Sequence, residues 1–133
     1  MHQCKDRKTL LYIEDNPANL KLVRQILRDH EHIHLLTADN PELGMELALL
    51  HKSDLILLDI NMPRMDGYQL LEILKSDEEL TNTPIVAVTA KAMERDIQHG
   101  KTAGFAEYLT KPLDIEPFLE TIERGLAGAC STC

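Results

Sequence analysis

Four short segments of the chain carry side chains that together suit phosphoryl transfer. They contain Glu14 and Asp15, Asp59, Thr89 and Lys111. A carboxylate can act as a nucleophile and form an aspartyl phosphate, and the transfer otherwise needs mainly positioning and charge neutralisation. A hydroxyl and an ammonium would contact the remaining phosphoryl oxygens. The chain therefore offers a candidate for each of these roles.

Three carboxylates in one pocket also predict a bound cation. Two carboxylates about 4 Å apart repel each other by about 4 kcal/mol at an effective dielectric constant of 20. Oxygen ligands, few of them from protein and the rest from water, are typical of Mg²⁺. The thiolate and imidazole ligands that zinc prefers are missing from these segments. We therefore expect Mg²⁺, provided that the carboxylates meet in space.

The segments that must position these residues alternate between short apolar runs and longer amphipathic stretches. The apolar runs predict strands at residues 9–13, 33–38, 54–58, 85–89 and 107–110. The amphipathic stretches predict helices at about residues 17–29, 41–51, 68–76, 93–103 and 115–127. Asn-Pro pairs precede the first two helices, as N-cap and first helical residue. Strict alternation predicts an α/β fold whose parallel sheet has helices on both faces.

Each residue proposed for phosphoryl transfer or cation binding lies at the carboxyl end of a predicted strand. Glu14 and Asp15 follow the first strand, Asp59 follows the third, Thr89 ends the fourth and Lys111 follows the fifth. Ligands of open α/β sheets bind outside these strand ends. The side chains share one pocket if the first, third, fourth and fifth strands are neighbours.

Length and charge limit the class of protein. The chain has 133 residues, which fits one domain, with expected tails at residues 1–8 and 128–133 and a domain at 9–127. Its net charge of −8 disfavours direct binding to nucleic acid. No apolar run is long enough to span a membrane, and the polar start does not resemble a secretory signal, so we expect a cytoplasmic protein. Cys130 and Cys133 fall in the expected C-terminal tail.

The four motifs, in this order and at this spacing, resemble the receiver domain of the response-regulator superfamily. The matching features are Glu14-Asp15, Asp59 within LLDINMPRMDG, Thr89-Ala90 and Lys111-Pro112. The resemblance covers about residues 9–126. It implies a flavodoxin-like, doubly wound sheet of five parallel strands in the order 2-1-3-4-5, with five helices. It also implies that the peptide bond before Pro112 is commonly cis.

The resemblance implies roles for the residues of the pocket. Asp59 would accept a phosphoryl group from a phosphohistidine. Mg²⁺, with Mn²⁺ as an alternative, would be bound by Asp15, Asp59 and the main-chain carbonyl of Asn61. Glu14 would act mainly through a metal-bound water, and Lys111 would contact the phosphoryl group.

The resemblance also implies a switch and a set of partners. Thr89 would move toward the phosphoryl group, and Tyr108 would turn inward as the switch aromatic. The face formed by the fourth helix, the fifth strand and the fifth helix would then select a downstream protein, with homodimerisation on phosphorylation as a further option. The donor would be a histidine kinase or a histidine phosphotransfer domain. This implies a signalling domain rather than an enzyme, without direct contact with nucleic acid or membrane.

Several alternatives stay open at this point. A haloacid-dehalogenase-like phosphatase also uses a nucleophilic Asp and Mg²⁺, but it needs a second Asp where this chain has Asn61. A pseudo-receiver that is never phosphorylated would lack part of the motif set, and no part is missing. Tyr108 could equally be a packing aromatic. The segment at residues 14–23 is most similar to receivers of hybrid histidine kinases or to single-domain regulators, and the sequence does not decide between them.

Overall fold

Every strand of the sheet runs parallel to its neighbours, in the order β2-β1-β3-β4-β5. The computed structural model describes residues 8–62, 67–90, 98, 102–111 and 113–128. The strands are β1 (Lys8–Ile13), β2 (Ile33–Ala38), β3 (Leu55–Asp59), β4 (Ile85–Thr89) and β5 (Glu107–Thr110). The helices are α1 (Pro17–Leu27), α2 (Pro41–His51), α3 (Gly67–Ser76) and the C-terminal helix (Ile115–Gly128). The predicted flavodoxin-like topology is confirmed.

The fourth predicted helix, at about residues 93–103, falls almost wholly outside the described residues. Gln98, Thr102 and Ala103 are described there, and all three are helical. The peptide bond before Pro112, which the resemblance implies is commonly cis, lies outside the described residues, as do Cys130 and Cys133. Within the part of the chain that the structure describes, no helix is both long and apolar enough to cross a bilayer.

The sheet is apolar on both faces because helices cover both of them. β3 and β4 are buried at every position, which explains why both are apolar up to their last residues, Asp59 and Thr89. Side chains of successive residues in a strand point to opposite faces, so the core divides in two. Leu10, Tyr12, Leu55 and Leu57 pack under α1 and the C-terminal helix. Leu11, Ile13, Ile56 and Leu58 pack under α2 and α3.

The Asn-Pro pairs begin α1 and α2, as predicted. The Asn16 side chain accepts a hydrogen bond from the Ala18 amide at 2.8 Å, and Asn40 accepts one from the Leu43 amide at 2.8 Å. Each cap satisfies an amide that has no partner within the helix. The first cap also fixes how the chain leaves β1, and so it positions the first turn of α1 beside the end of the sheet.

The strand ends are aligned along the carboxyl edge of the sheet by backbone hydrogen bonds beyond the strands themselves. The Glu14 amide donates to the Ala38 carbonyl at 2.9 Å, and the Lys111 amide donates to the Thr89 carbonyl at 2.8 Å. The observed strand ends lie within one residue of the predicted ones. β1 begins at Lys8, one residue early, because the Lys8 amide pairs with the His32 carbonyl at 2.8 Å.

Candidate functional site

The structure brings the predicted carboxylates and the lysine together at the carboxyl edge of the sheet. Glu14 follows β1, Asp59 ends β3 and Lys111 follows β5. Glu14 is 0% exposed and Asp59 is 2% exposed, whereas Asp15 is exposed to solvent. We call Glu14, Asp15, Asp59 and Lys111 the acidic pocket. Buried charges require partners, and the pocket supplies them.

Lys111 joins the two buried carboxylates. Its Nζ lies 2.8 Å from Glu14 Oε1 and 3.1 Å from Asp59 Oδ2, and its side chain is 20% exposed. Hydrogen bonds between an ammonium and a carboxylate are among the stronger ones in proteins. The ammonium therefore neutralises part of the charge, and its exposed side remains within reach of a further anionic group.

Asn61 connects Asp59 to Thr89. The Asn61 amide donates to Asp59 Oδ1 at 2.9 Å and closes a tight turn after β3. The Asn61 side-chain oxygen accepts hydrogen bonds from Thr89 Oγ1 at 3.0 Å and from the Ala90 amide at 3.2 Å. Thr89 is 1% exposed. The threonine hydroxyl thus contacts the turn that follows Asp59.

Glu14 has polar partners that the sequence did not suggest. Glu14 Oε1 accepts hydrogen bonds from Tyr12 OH at 2.8 Å and from Asn19 Nδ2 at 3.1 Å. Glu14 Oε2 accepts a hydrogen bond from the Asn16 amide at 3.3 Å. The two-residue period of a strand could have indicated Tyr12, because residues two apart point to the same face. Nothing comparable in the sequence indicated Asn19.

Burial and proximity shift the pKa values in the pocket in opposite directions. Burial, and then the hydrogen bond with Glu14, raise the pKa of Asp59 to about 6. Burial also acts to raise the pKa of Glu14, but hydrogen bonds with Asp59, Lys111 and Tyr12 outweigh it and lower that pKa to about 2. Burial lowers the pKa of Lys111, but the two carboxylates outweigh it and hold that pKa above its ordinary value. The raised pKa of Asp59 reflects the cost of burying this carboxylate beside the charge of Glu14.

The carboxylates of the pocket suit a hard divalent cation. One oxygen each from Glu14, Asp15 and Asp59 lies within 4.8 Å of the others. Three carboxylates and one ammonium leave a formal charge of −2 among the described side chains of the pocket. All the candidate ligand atoms are oxygens, and the exposure of Asp15 leaves room for water ligands. Mg²⁺ prefers this arrangement.

Tyr108, in β5, lies outside the acidic pocket and packs against the core residues beneath α2 and α3. Its hydroxyl is 2.6 Å from the hydroxyl of Tyr68 at the start of α3. Phe105 packs edge-on against both tyrosines, with ring centroids 5.5 Å from Tyr68 and 5.8 Å from Tyr108. Both tyrosines are half-buried. The sequence did not predict this cluster, because Tyr68 and Tyr108 are 40 residues apart in the chain.

Two further polar groups lie away from the pocket. His30, His32 and Glu123 have ligand-type atoms within 4.8 Å of one another, and His32 Nε2 contacts Glu123 Oε1 at 3.0 Å. His32 and Glu123 are about half exposed, with side chains 48% and 54% accessible, so their contact resembles an ordinary surface pair. An open cleft at the amino ends of β3, β4 and β5 includes Lys52 and Arg124 in its lining. Both cations are paired there with carboxylates, at 3.4 Å and 2.7 Å.

Comparison with known proteins matches most of the chain to one protein family. The family described as response regulator receiver domain matches residues 10–123. The polar-differentiation response regulator DivK of Brucella anthropi is 36% identical over 122 residues, which are 92% of this chain and 98% of that protein. DivK of Brucella ovis is 37% identical over the same length and coverage.

Solved structures also match the chain over most of its length. The chemotaxis protein CheY4 of Vibrio cholerae has a TM-score of 0.84 and 27% identity, and the match covers 90% of this chain and 99% of that one. The receiver domain of a Pseudomonas aeruginosa sensor histidine kinase has a TM-score of 0.81 and 26% identity, over 91% of this chain and 98% of that one. That structure has a magnesium ion coordinated in its active-site cleft. The chain belongs to the response regulator receiver family, the phosphoacceptor signalling domains of two-component systems.

Proposed function

We propose that Asp59 is the phosphoacceptor and that the acidic pocket performs the transfer. The observation that supports this most strongly is the placement of Asp59, buried at the end of β3, within 3.1 Å of the Lys111 ammonium. An Asp59 oxygen would attack the phosphorus atom of a phosphohistidine. The P–N bond would break, and its electron pair would stay on the imidazole nitrogen, which takes up a proton. The aspartyl phosphate would remain on the chain.

The other residues of the pocket would bind and neutralise charge. Asp15, Asp59 and the main-chain carbonyl of Asn61 would hold Mg²⁺, or Mn²⁺ in its place, and Glu14 would act through a water. When bound, the metal ion lowers the repulsion between the anionic nucleophile and the anionic donor. Lys111, whose ammonium already contacts Asp59, would pair with a phosphoryl oxygen after transfer.

The direct test is the mass of the intact protein after incubation with acetyl phosphate, with and without Mg²⁺. We expect a gain of one phosphoryl group that depends on Mg²⁺. Borohydride reduction converts an aspartyl phosphate to homoserine, and peptide mapping should then find the modified residue at position 59. A protein of unchanged mass under every condition would contradict the proposal, and a modified residue elsewhere would contradict the assignment of Asp59.

The switch would depend on Thr89 and Tyr108. In the resting state the Thr89 hydroxyl donates to Asn61 at 3.0 Å. A phosphoryl group on Asp59 adds negative charge and strong acceptor oxygens, to which the hydroxyl would transfer its hydrogen bond. Tyr108 would then turn inward, and the surface around β5 and the C-terminal helix would change shape.

Replacing Thr89 with Ala should uncouple this switch from phosphorylation. The variant keeps the acidic pocket and should still gain a phosphoryl group, but it has no hydroxyl to follow that group. We expect the phosphorylation-induced shift of the Tyr108 ring signals in NMR spectra to fall by more than half. Thr89→Ser, which keeps the hydroxyl, is the matched control and should respond like the wild type. Equal shifts in Thr89→Ala and the wild type would remove Thr89 from the mechanism.

The remaining expectations complete the proposal. The donor would be a histidine kinase or a phosphotransfer domain, and the downstream protein would bind the face formed by the fourth predicted helix, β5 and the C-terminal helix. Homodimerisation through that face, a receiver domain at residues 9–127, a cytoplasmic location and the absence of an enzymatic role all stay predictions from the sequence.

A further inference from the structure

We propose that Tyr12 and Asn19 are positioning residues, which act through Glu14 to set how much of the Lys111 ammonium is available to the phosphoryl group. The inference rests on the proposed function of the acidic pocket. It concerns two side chains that are not among the carboxylates, the threonine and the lysine of the four receiver motifs. Neither would touch the phosphoryl group or the metal ion.

The Tyr12 hydroxyl lies on the buried side of the acidic pocket. Tyr12 lies in β1 and is 0% exposed. A buried hydroxyl is costly unless it is hydrogen-bonded, and this one donates to Glu14 Oε1 at 2.8 Å. The ring packs in the core beneath α1 and the C-terminal helix, which fixes its orientation. The hydrogen bond to Glu14 is therefore present before any donor or cation arrives.

Asn19 adds a second neutral donor to the same oxygen. It lies in the first turn of α1, where the Asn16 cap fixes the start of the helix. Asn19 Nδ2 donates to Glu14 Oε1 at 3.1 Å. Lys111 Nζ contacts that oxygen at 2.8 Å. Glu14 Oε1 thus accepts two hydrogen bonds from neutral groups and also pairs with the ammonium.

The two neutral donors weaken the hold of Glu14 on the lysine. Lys111 Nζ lies closer to Glu14 than to Asp59, at 2.8 Å against 3.1 Å, so Glu14 competes with the phosphoacceptor for the ammonium. Hydrogen bonds from Tyr12 and Asn19 spread the negative charge of Oε1 and reduce its pull. Without them, Glu14 would hold Lys111 more tightly, and the ammonium would neutralise the phosphoryl group less well.

Loss of either donor should therefore change two measurements in opposite directions. The carboxylates would be less compensated, so the pocket should attract a divalent cation more strongly. The lysine would be less available, so phosphoryl transfer should be slower. A general packing defect would weaken both together. The opposite signs distinguish positioning of Glu14 from a structural role.

The experiment compares Tyr12→Phe and Asn19→Ala with the wild type. Amide NMR titration with MgCl₂ alone should give a dissociation constant about two- to fivefold lower in each variant. The rate of phosphorylation by acetyl phosphate at saturating Mg²⁺ should fall about three- to tenfold. Thr121→Val removes a buried hydroxyl that accepts a hydrogen bond from Arg124 in the C-terminal helix, and it should change neither value. Tyr12→Phe keeps the aromatic ring, and Asn19 is only half-buried, so both variants should fold.

Two results would overturn the inference: unchanged Mg²⁺ affinity in both variants, or weaker affinity together with slower transfer. Failure of the proposed function has a different signature, because the wild type itself would then gain no phosphoryl group from acetyl phosphate. The titration with MgCl₂ alone still tests the effect of Tyr12 and Asn19 on Glu14 in that case.

Discussion

Asp59→Asn is expected to abolish phosphorylation and to leave the protein folded and slightly more stable. The amide has nearly the shape of the carboxylate and can still accept the Asn61 amide at Oδ1, but it has no anionic oxygen to attack phosphorus. Removing one of three clustered carboxylates relieves their repulsion, while Lys111 keeps its contact with Glu14 at 2.8 Å. In metal-free buffer we expect the free energy of unfolding to rise by about 1 kcal/mol.

Intact mass and urea unfolding measure both effects. The stabilisation that Mg²⁺ gives the wild type should shrink in Asp59→Asn, because a ligand oxygen has lost its charge. Asp54→Asn is the matched control at the other end of β3, where Asp54 Oδ2 accepts the Thr9 amide at 2.8 Å. It should be phosphorylated like the wild type. Phosphorylation of Asp59→Asn at the wild-type rate would place the acceptor on another residue.

Lys111→Met is expected to slow phosphoryl transfer by about 10²- to 10³-fold, the usual effect of losing one preorganised donor. Methionine has a similar length but carries no charge, so the phosphoryl oxygens lose the ammonium. Glu14 and Asp59 would also lose their shared partner. We expect a cost of about 2 kcal/mol in metal-free buffer, below the roughly 3–5 kcal/mol of a broken buried pair, because Asp59 can take up a proton. Added Mg²⁺ should restore part of this stability.

Lys75→Met is the control that separates charge in the pocket from the loss of a partly buried lysine. Lys75 lies in α3, and its Nζ donates to the carbonyls of Thr81 and Thr83 at 3.2 Å and 2.7 Å, away from the pocket. Its removal should lower stability without changing the transfer rate at saturating Mg²⁺. Single-turnover phosphorylation with acetyl phosphate gives these rates. If Lys111→Met reacts within about threefold of the wild type, the lysine does not neutralise the phosphoryl group.

The sheet was predictable because its sequence is strongly constrained. The run at residues 54–58 and the run at 85–89 are apolar at nearly every position, and a strand buried on both faces has to be. Parallel strands bring their carboxyl ends to one edge, so the convergence of Glu14, Asp59 and Lys111 followed once the strand order was known. That order came from the resemblance to receivers and not from the strand patterns.

The partners of the buried carboxylates were less accessible to sequence reasoning. Asn19 reaches Glu14 because the Asn16 cap fixes the angle at which α1 leaves β1, and that angle is a tertiary property. Tyr68 meets Tyr108 across a distance of 40 residues in sequence, and no local pattern marks the pair. Hydrogen bonds of this kind depend on side-chain rotamers that packing selects, whereas the strands and helices depend on hydrophobic periodicity.

The contact between the Tyr68 and Tyr108 hydroxyls affects how many unphosphorylated molecules are in the activated conformation before any stimulus. If Tyr108 turns inward on activation as proposed, the 2.6 Å contact with Tyr68 has to be given up. A hydrogen bond worth about 1 kcal/mol would lower the spontaneously activated fraction of unphosphorylated molecules about fivefold. Background output would then depend on a side chain of α3 that takes no part in the chemistry, and evolution could adjust it without altering the rate of phosphorylation.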